Sequence, residues 1–210
     1  MKYLALLITL VLGIPNASSY QNNNNDWRLE LDREGVSVYL KKIEGFEIHG
    51  IKATIDIRAT KKKLVSIIND VENYKSWVAD CNHSALIVTE NPSESVSHLK
   101  FDSPWPIQDR DVFFHRVLSE SNDNQFSLTF TASSDYLIEE SCCVRIKRAI
   151  GKFSIIEKKE NLSQVIYEFV SDPGGNLPNW LVSYILTDSP YTTLSNLREL
   201  AENQVELSAN

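Results

Sequence analysis

The sequence has 210 residues, enough for one domain with a sizeable core. Hydrophobic residues make up 42% and charged residues 23%, which excludes a chain that is disordered beyond its ends. The formal net charge is -7 and no dense Lys/Arg patch occurs, which excludes a nucleic-acid binder. The densest basic run, Lys61-Lys62-Lys63, reads as the solvated first turn of a helix.

In chain order, Met1-Lys2 supplies a positive charge, Tyr3 to Ile14 is almost wholly apolar, and Pro15-Asn16-Ala17-Ser18-Ser19 is small or polar. This pattern predicts a signal peptide over residues 1–19, cut after Ser19. The apolar run is shorter than the roughly 20 residues of a membrane-spanning helix. The chain is therefore expected to be exported, to the periplasm or outside the cell. An Asn-rich mobile spacer is expected over 20–26, and the folded domain over 27–206. Export permits disulfides. Cys142 and Cys143 are adjacent and face opposite sides of a strand. Cys81 could bridge to one of them, or all three could remain free thiols. No Cys/His spacing marks a metal site.

Leu29 and Leu31, then Val36, Val38 and Leu40, alternate with polar residues, and Ile48 to Ile57 is β-branched. These predict three antiparallel strands joined by short turns. Thr60 caps a helix whose apolar face is Leu64, Ile67, Ile68 and Val71. Tyr74 and Trp77 follow, and Cys81-Asn82-His83-Ser84 is expected to break the structure. Strand-like runs resume at 85–89, 96–101, 111–118, 126–132, 143–150, 152–157 and 164–170, read as a meander with Gly151 as one separator. After Asp172-Pro173-Gly174-Gly175-Asn176, Pro178 suits the first turn of a long apolar-faced helix. Pro190 is expected to kink or split that helix, with Asp188 or Ser189 capping a second segment and higher mobility from Thr187 onward. Strands, a helix, many strands and a long helix make an α+β chain with helices on one face of an antiparallel sheet.

No nucleophile elbow, P-loop, dinucleotide fingerprint or zincin motif occurs. His49, His83, His98 and His115 are scattered and read as structural. In a strand, Asp109 and Asp111 share one face and Arg110 takes the other, which reads as an ion-pair cluster. Val112, Phe114 and Arg116 share a face, as do Phe126, Leu128 and Phe130, which form core or cavity wall. A buried Arg116 must serve a partner, a ligand or water. Trp180, Leu181 and Tyr184 lie on one side of the last helix.

Four segments are recognisable in order: Trp27 with Asp32-Arg33-Glu34-Gly35-Val36, Tyr74-Lys75-Ser76-Trp77, Pro104-Trp105-Pro106 through Asp109-Arg110-Asp111, and Asp172-Pro173-Gly174-Gly175 through Trp180. Together, from Trp27 to about Glu202, they resemble the START family of lipid-transfer domains. The resemblance implies a helix-grip fold: a curved antiparallel sheet wrapped around a long C-terminal helix, enclosing a tunnel for one lipid. It implies no catalytic residue, no cofactor and no metal. Arg116 stands where cholesterol-handling members carry a buried charge that receives a ligand hydroxyl. The facing acidic residue has no counterpart, and His98 or Lys100 stands near its place.

The expected ligand contacts are Val112, Phe114, Arg116, His98, Phe130, Tyr136, Leu181 and Tyr184, with Leu128 on the same face as Phe130. The expected partners are a lipid or sterol-like ligand and, transiently, a membrane; the expected state is a monomer. The function this supports is non-catalytic binding, and transfer, of a hydrophobic molecule. The alternative is a helix-grip cyclase or aromatase, with His98, His115, Arg116 and Tyr136 moving protons.

Overall fold

The computed structural model describes residues 26–122, 125–136 and 142–206. The expected signal peptide over 1–19, and all but Asp26 of the spacer, lie outside the described residues. Strands β1 (Arg28–Arg33), β2 (Val36–Lys41) and β3 (Gly50–Ile57) pair antiparallel in turn. Glu34 (φ 50°) and Gly35 (φ 79°) turn the chain between the first two. Helix α1 (Lys61–Asn69) begins where the Thr60 side chain accepts from the Lys63 N–H, and buries Leu64, Ile67 and Ile68. A 3-10 helix, Val71–Ser76, carries Tyr74 into the core, with Trp77 directly after it. Their rings meet edge-on at 5.1 Å, and Trp77 meets Phe153 at 5.9 Å.

The remaining strands are β4 (Cys81–Asn91), β5 (Glu94–Phe101), β6 (Asp109–Asn122), β7 (Gln125–Ala132), β8 (Cys143–Arg145), β9 (Arg148–Lys159) and β10 (Leu162–Asp172), before helix α2 (Asn179–Glu206). One ten-stranded sheet runs β1-β2-β3-β10-β9-β7-β6-β5-β4, with β8 alongside β6. The inward residues of β2 and β3 join Leu64, Ile68, Leu194, Leu197 and Ala201 in one core.

Several expectations need correction. Residues Cys81 to Ser84 open β4 rather than break the structure, because they pair with β5 as far as Phe101. Gly151 does not separate two strands: β9 runs through it, held by β10 on one side and β7 on the other. The sheet is not a simple meander, since β3 pairs with β10 and β8 pairs parallel with β6. Cys81 bridges to neither neighbour. It is buried and free, and Cys142 and Cys143 are joined to each other.

Helix α2 is continuous through Pro190, so Asp188 and Ser189 cap nothing. Tertiary contacts after the proline outweigh its cost of about 3 kcal/mol. The Tyr191 hydroxyl donates to Glu34 at 2.7 Å, Arg198 to the Glu34 carbonyl at 2.7 Å and Asn196 to the Trp77 carbonyl at 3.3 Å. The Ala79 N–H donates to Thr193 at 3.1 Å, and Arg33 lies over the Tyr191 ring. Before Pro190, Leu181 and Leu186 are buried and Tyr184 reaches Asp80. These contacts predict that the first half is the weaker, whereas the sequence leads to an expectation of higher mobility from Thr187 onward. Hydrogen exchange should be faster over residues 181–188 than over residues 193–201. Equal protection in the two halves would remove Pro190 as a hinge.

Candidate functional site

A cavity of about 510 Å³ lies between the concave face of the sheet and α2. The two-residue period of β5 and β6 decides what enters it. Phe101, Leu99, Ser97 and Ser95 pair with Arg110, Val112, Phe114 and Arg116, and all of these except Ser95 line the cavity. Phe130 on β7, Phe153 on β9, and Tyr167 and Phe169 on β10 continue an aromatic wall. Gly151 makes that wall possible. It is paired between Phe130 and Phe169, and a Cβ there would overlap the Phe130 ring and sit 2.9 Å from that of Phe169.

Arg110 and Arg116 are six residues apart on the same face of β6, about 20 Å by strand rise. They mark two ends. At the Arg110 end, the guanidinium donates to the carbonyls of Gln108 (2.5 Å), Gly174 (3.0 Å) and Pro173 (3.4 Å), and to Ser103 Oγ (3.4 Å). It clamps the β5–β6 loop to the turn before α2. Burial pushes its pKa down, against the opposing pull of Asp109. Trp105 on that loop is 91% exposed, and Trp180 at the start of α2 is 58% exposed. Pro104 and Leu177 beside them line the cavity, so this end is the mouth. Nearby, the Tyr184 hydroxyl donates to Asp80 at 3.0 Å. Burial, then the Asp80 carboxylate, pushes its pKa up to about 12.

At the other end Arg116 is 4% exposed. It donates to Ser95 Oγ (3.2 Å), the Ile68 carbonyl in the last turn of α1 (3.2 Å) and the Tyr74 hydroxyl (3.3 Å). Tyr74 donates in turn to the Ile68 carbonyl at 2.5 Å. Burial raises the Tyr74 pKa despite the adjacent guanidinium, so the phenol stays neutral. Ser97 is 1% exposed and lines the cavity, and its Oγ has no hydrogen-bond partner among the described residues.

Of the expected contacts, the structure brings Val112, Phe114, Arg116, Phe130, Leu181 and Tyr184 to the cavity. Leu128 shares their face of the sheet but is packed in the core and does not line the cavity. His98 and Tyr136 lie behind the sheet. His98 pairs with Phe113, stacks on its ring at 4.2 Å and sits 3.0 Å from Asp111. Tyr136 stacks on Phe113 as well, with ring centroids 5.5 Å apart. Arg145 binds both Asp111 oxygens at 2.9 Å and donates to the Tyr136 carbonyl. The ion-pair reading of Asp111 holds, with Arg145 and His98 as its partners rather than Arg110. His115 also faces outward, where it, Glu90 and Glu94 bring potential ligand atoms within 4.8 Å of one another at a solvent-exposed edge.

Sequence reasoning missed Ser97, Tyr74, Arg110, Phe153 and Tyr167 as lining residues. For Arg110 the signal was present: strand alternation already set it on the face opposite its two Asp neighbours. For Ser97 there was none, because a serine in a strand carries no sign of which side it faces.

The sequence and fold have parallels among known proteins. The model of the START domain family matches residues 17–205. An uncharacterized protein of Pseudomonas aeruginosa is 29% identical over 179 residues, 85% of this chain and 88% of that one. The human phosphatidylcholine transfer protein is 23% identical over 187 residues, 86% of each chain. The solved STAR-related lipid transfer protein fragment from Xanthomonas axonopodis superposes with a TM-score of 0.77 at 27% identity. It covers 85% of this chain and 99% of that one. With nine-tenths of its length matched and the curved sheet closed by a long C-terminal helix, the chain belongs to the START domain family, whose members bind and transfer lipids.

Proposed function

We propose that this protein is an exported, non-catalytic carrier that holds one hydrophobic molecule in the cavity and passes it to and from membranes as a monomer. The observation that carries the reading is the mostly apolar cavity of about 510 Å³. It falls in the usual range for small-molecule sites, roughly 300–1,000 Å³, with few polar groups to orient the ligand. Opening moves the first half of α2 away from the sheet and breaks the Tyr184–Asp80 hydrogen bond. The alternative, a proton-shuttling cyclase, needs His98, His115 and Tyr136 at the ligand; all three face away from it. Arg116 alone of the four candidates lines the cavity.

Trp105 and Trp180 suit a membrane contact, because amphipathic indole rings partition to the headgroup region. Among the described residues no helix is long and apolar enough to cross a membrane. The test is extraction of the purified protein for mass spectrometry, with transfer of a fluorescent fatty acid between vesicles of phosphatidylethanolamine and phosphatidylglycerol. Bound lipid and protein-dependent transfer are expected; the absence of both defeats the carrier reading. Trp105→Ser should slow transfer about tenfold, equivalent to roughly 1.4 kcal/mol of lost interfacial binding. The amount of bound lipid should not change.

A further inference from the structure

We infer that the buried end of the cavity selects an amphiphile with an ionised carboxylate head, which enters head-first and leaves its single apolar body pointing toward the mouth. The inference rests on the carrier reading and names its ligand class.

The argument is an inventory of donors, acceptors and charge. Arg116 has five N–H donors, and its bonds to Ser95, Ile68 and Tyr74 use three. Two remain without a protein acceptor among the described residues, on a side chain that lines the cavity. Ser97 adds a hydroxyl with no partner in the same lining. Tyr74 offers nothing more as a donor, because its hydrogen is committed to the Ile68 carbonyl. This end therefore presents two spare guanidinium N–H groups, one hydroxyl that can donate or accept, and a positive charge.

No carboxylate among the described residues pairs with Arg116. Its protein acceptors are two hydroxyls and one carbonyl at the C-terminal end of α1. The helix end contributes about half a negative charge at most, so a net positive charge is left in an apolar enclosure. Asp70, the acidic group that acts on Tyr74, is exposed and occupied with Asn73. The acidic residues that line the cavity, Asp80 and Asp102, belong with the mouth: Asp80 holds Tyr184, and Asp102 holds Asn82.

A buried guanidinium is stable only with compensation. An ionised carboxylate supplies it, with two oxygens that accept without needing to donate and that match the Arg fork. An alcohol head can hydrogen-bond to the Ser97 hydroxyl but brings no charge to offset the guanidinium. The span of about 20 Å between Arg116 and Arg110 fits one long acyl chain laid along β6.

The experiment is calorimetric titration of the delipidated protein with palmitate, hexadecanol and cholesterol. Palmitate should bind at least tenfold more tightly than hexadecanol, which has a chain of the same length. Ser97→Ala should weaken palmitate about tenfold, the usual effect of one hydrogen bond to a charged group, and hexadecanol by less, as befits a neutral hydrogen bond. Arg116→Gln should weaken palmitate on the order of 100-fold. If that variant fails to fold, Ser97→Ala and the wild-type comparison still decide the question. Hexadecanol or cholesterol binding as tightly as palmitate overturns the carboxylate assignment and leaves the carrier reading standing. If none of the three binds and the protein yields no lipid on extraction, both fall.

Discussion

Replacing Asp111 with alanine should lower the unfolding free energy by about 3–5 kcal/mol, which is what removing one member of a buried ion pair costs. The carboxylate is 1% exposed, behind the sheet and away from the cavity. Arg145 binds it at 2.7 Å through one guanidinium nitrogen and at 2.9 Å through Nε, and His98 lies at 3.0 Å. Arg145 also reaches the Tyr136 carbonyl and covers the Phe113 ring. Through this one residue, the connection between β7 and β9 is fastened to the back of β6. Without it, a guanidinium and an imidazole lose their shared acceptor in a largely buried site. Urea denaturation of the wild type, Asp111→Ala and Asp111→Asn measures the effect. A loss below about 1 kcal/mol in both variants would mean that solvent readily replaces the carboxylate.

The same group carries an acid limit. Burial alone would raise the Asp111 pKa, but hydrogen bonds from Arg145 and His98 and their charges together outweigh it and hold the pKa below the ordinary value. The folded carboxylate is thus the stronger acid, and the unfolded chain binds the proton more readily. The resulting stability is complete above the unfolded value of about 3.9 and disappears as pH falls through the lower folded value. The stability gap between wild type and Asp111→Asn should therefore narrow in acid below about pH 4. A gap that stays constant to pH 2 would contradict this.

Valine in place of Gly151 should destabilise the protein by about 3 kcal/mol and abolish ligand binding, because two effects fall on one position. The Phe130 and Phe169 rings stack across this glycine with centroids 6.1 Å apart. A side chain there displaces at least the Phe130 ring, and the open space beside it is the cavity. The cost is steric rather than conformational, since Gly151 sits in ordinary strand pairing and has no positive φ. Shrinking the obstacle should restore part of the loss: Gly151→Ala combined with Phe130→Leu should be more stable than the sum of the single effects predicts. Strict additivity would show that the ring and the glycine do not share the space.

What was legible in the sequence was what depends on local period. The alternation in β6 sets Val112, Phe114 and Arg116 on one face, and they line the cavity together. The spacing on α2 likewise brings Leu181 and Tyr184 to it. The errors came from partners distant in sequence. His98 sits in a strand whose alternation defines two faces, but only its register against Phe113 decides which face looks inward. Tyr136 lies in a connection with no period, placed by the pairing of β8 with β6. Phe126, Leu128 and Phe130 do share a face, yet only Phe130 reaches the cavity, since the other two are packed into the core. Gly151 was read as a break because glycine weakens strands locally, whereas its purpose is room for two rings contributed by neighbouring strands.

The pairing of β3 with β10 also bears on how fast the protein can form. Ile57 meets Ser163, more than a hundred residues later, and every other contact in that seam spans a comparable stretch of chain. The β1–β2–β3 and β4–β5–β6–β7 pairings are between sequence neighbours and can close early. The seam that joins them must wait until β10 exists, and its closure carries a chain-entropy cost that grows with the logarithm of the loop. Maturation should therefore run on the milliseconds-to-seconds scale of non-local β topologies, with a half-sheet intermediate whose free edges are β3 and β9. A ribosome would release nearly the whole chain before the cavity has two walls.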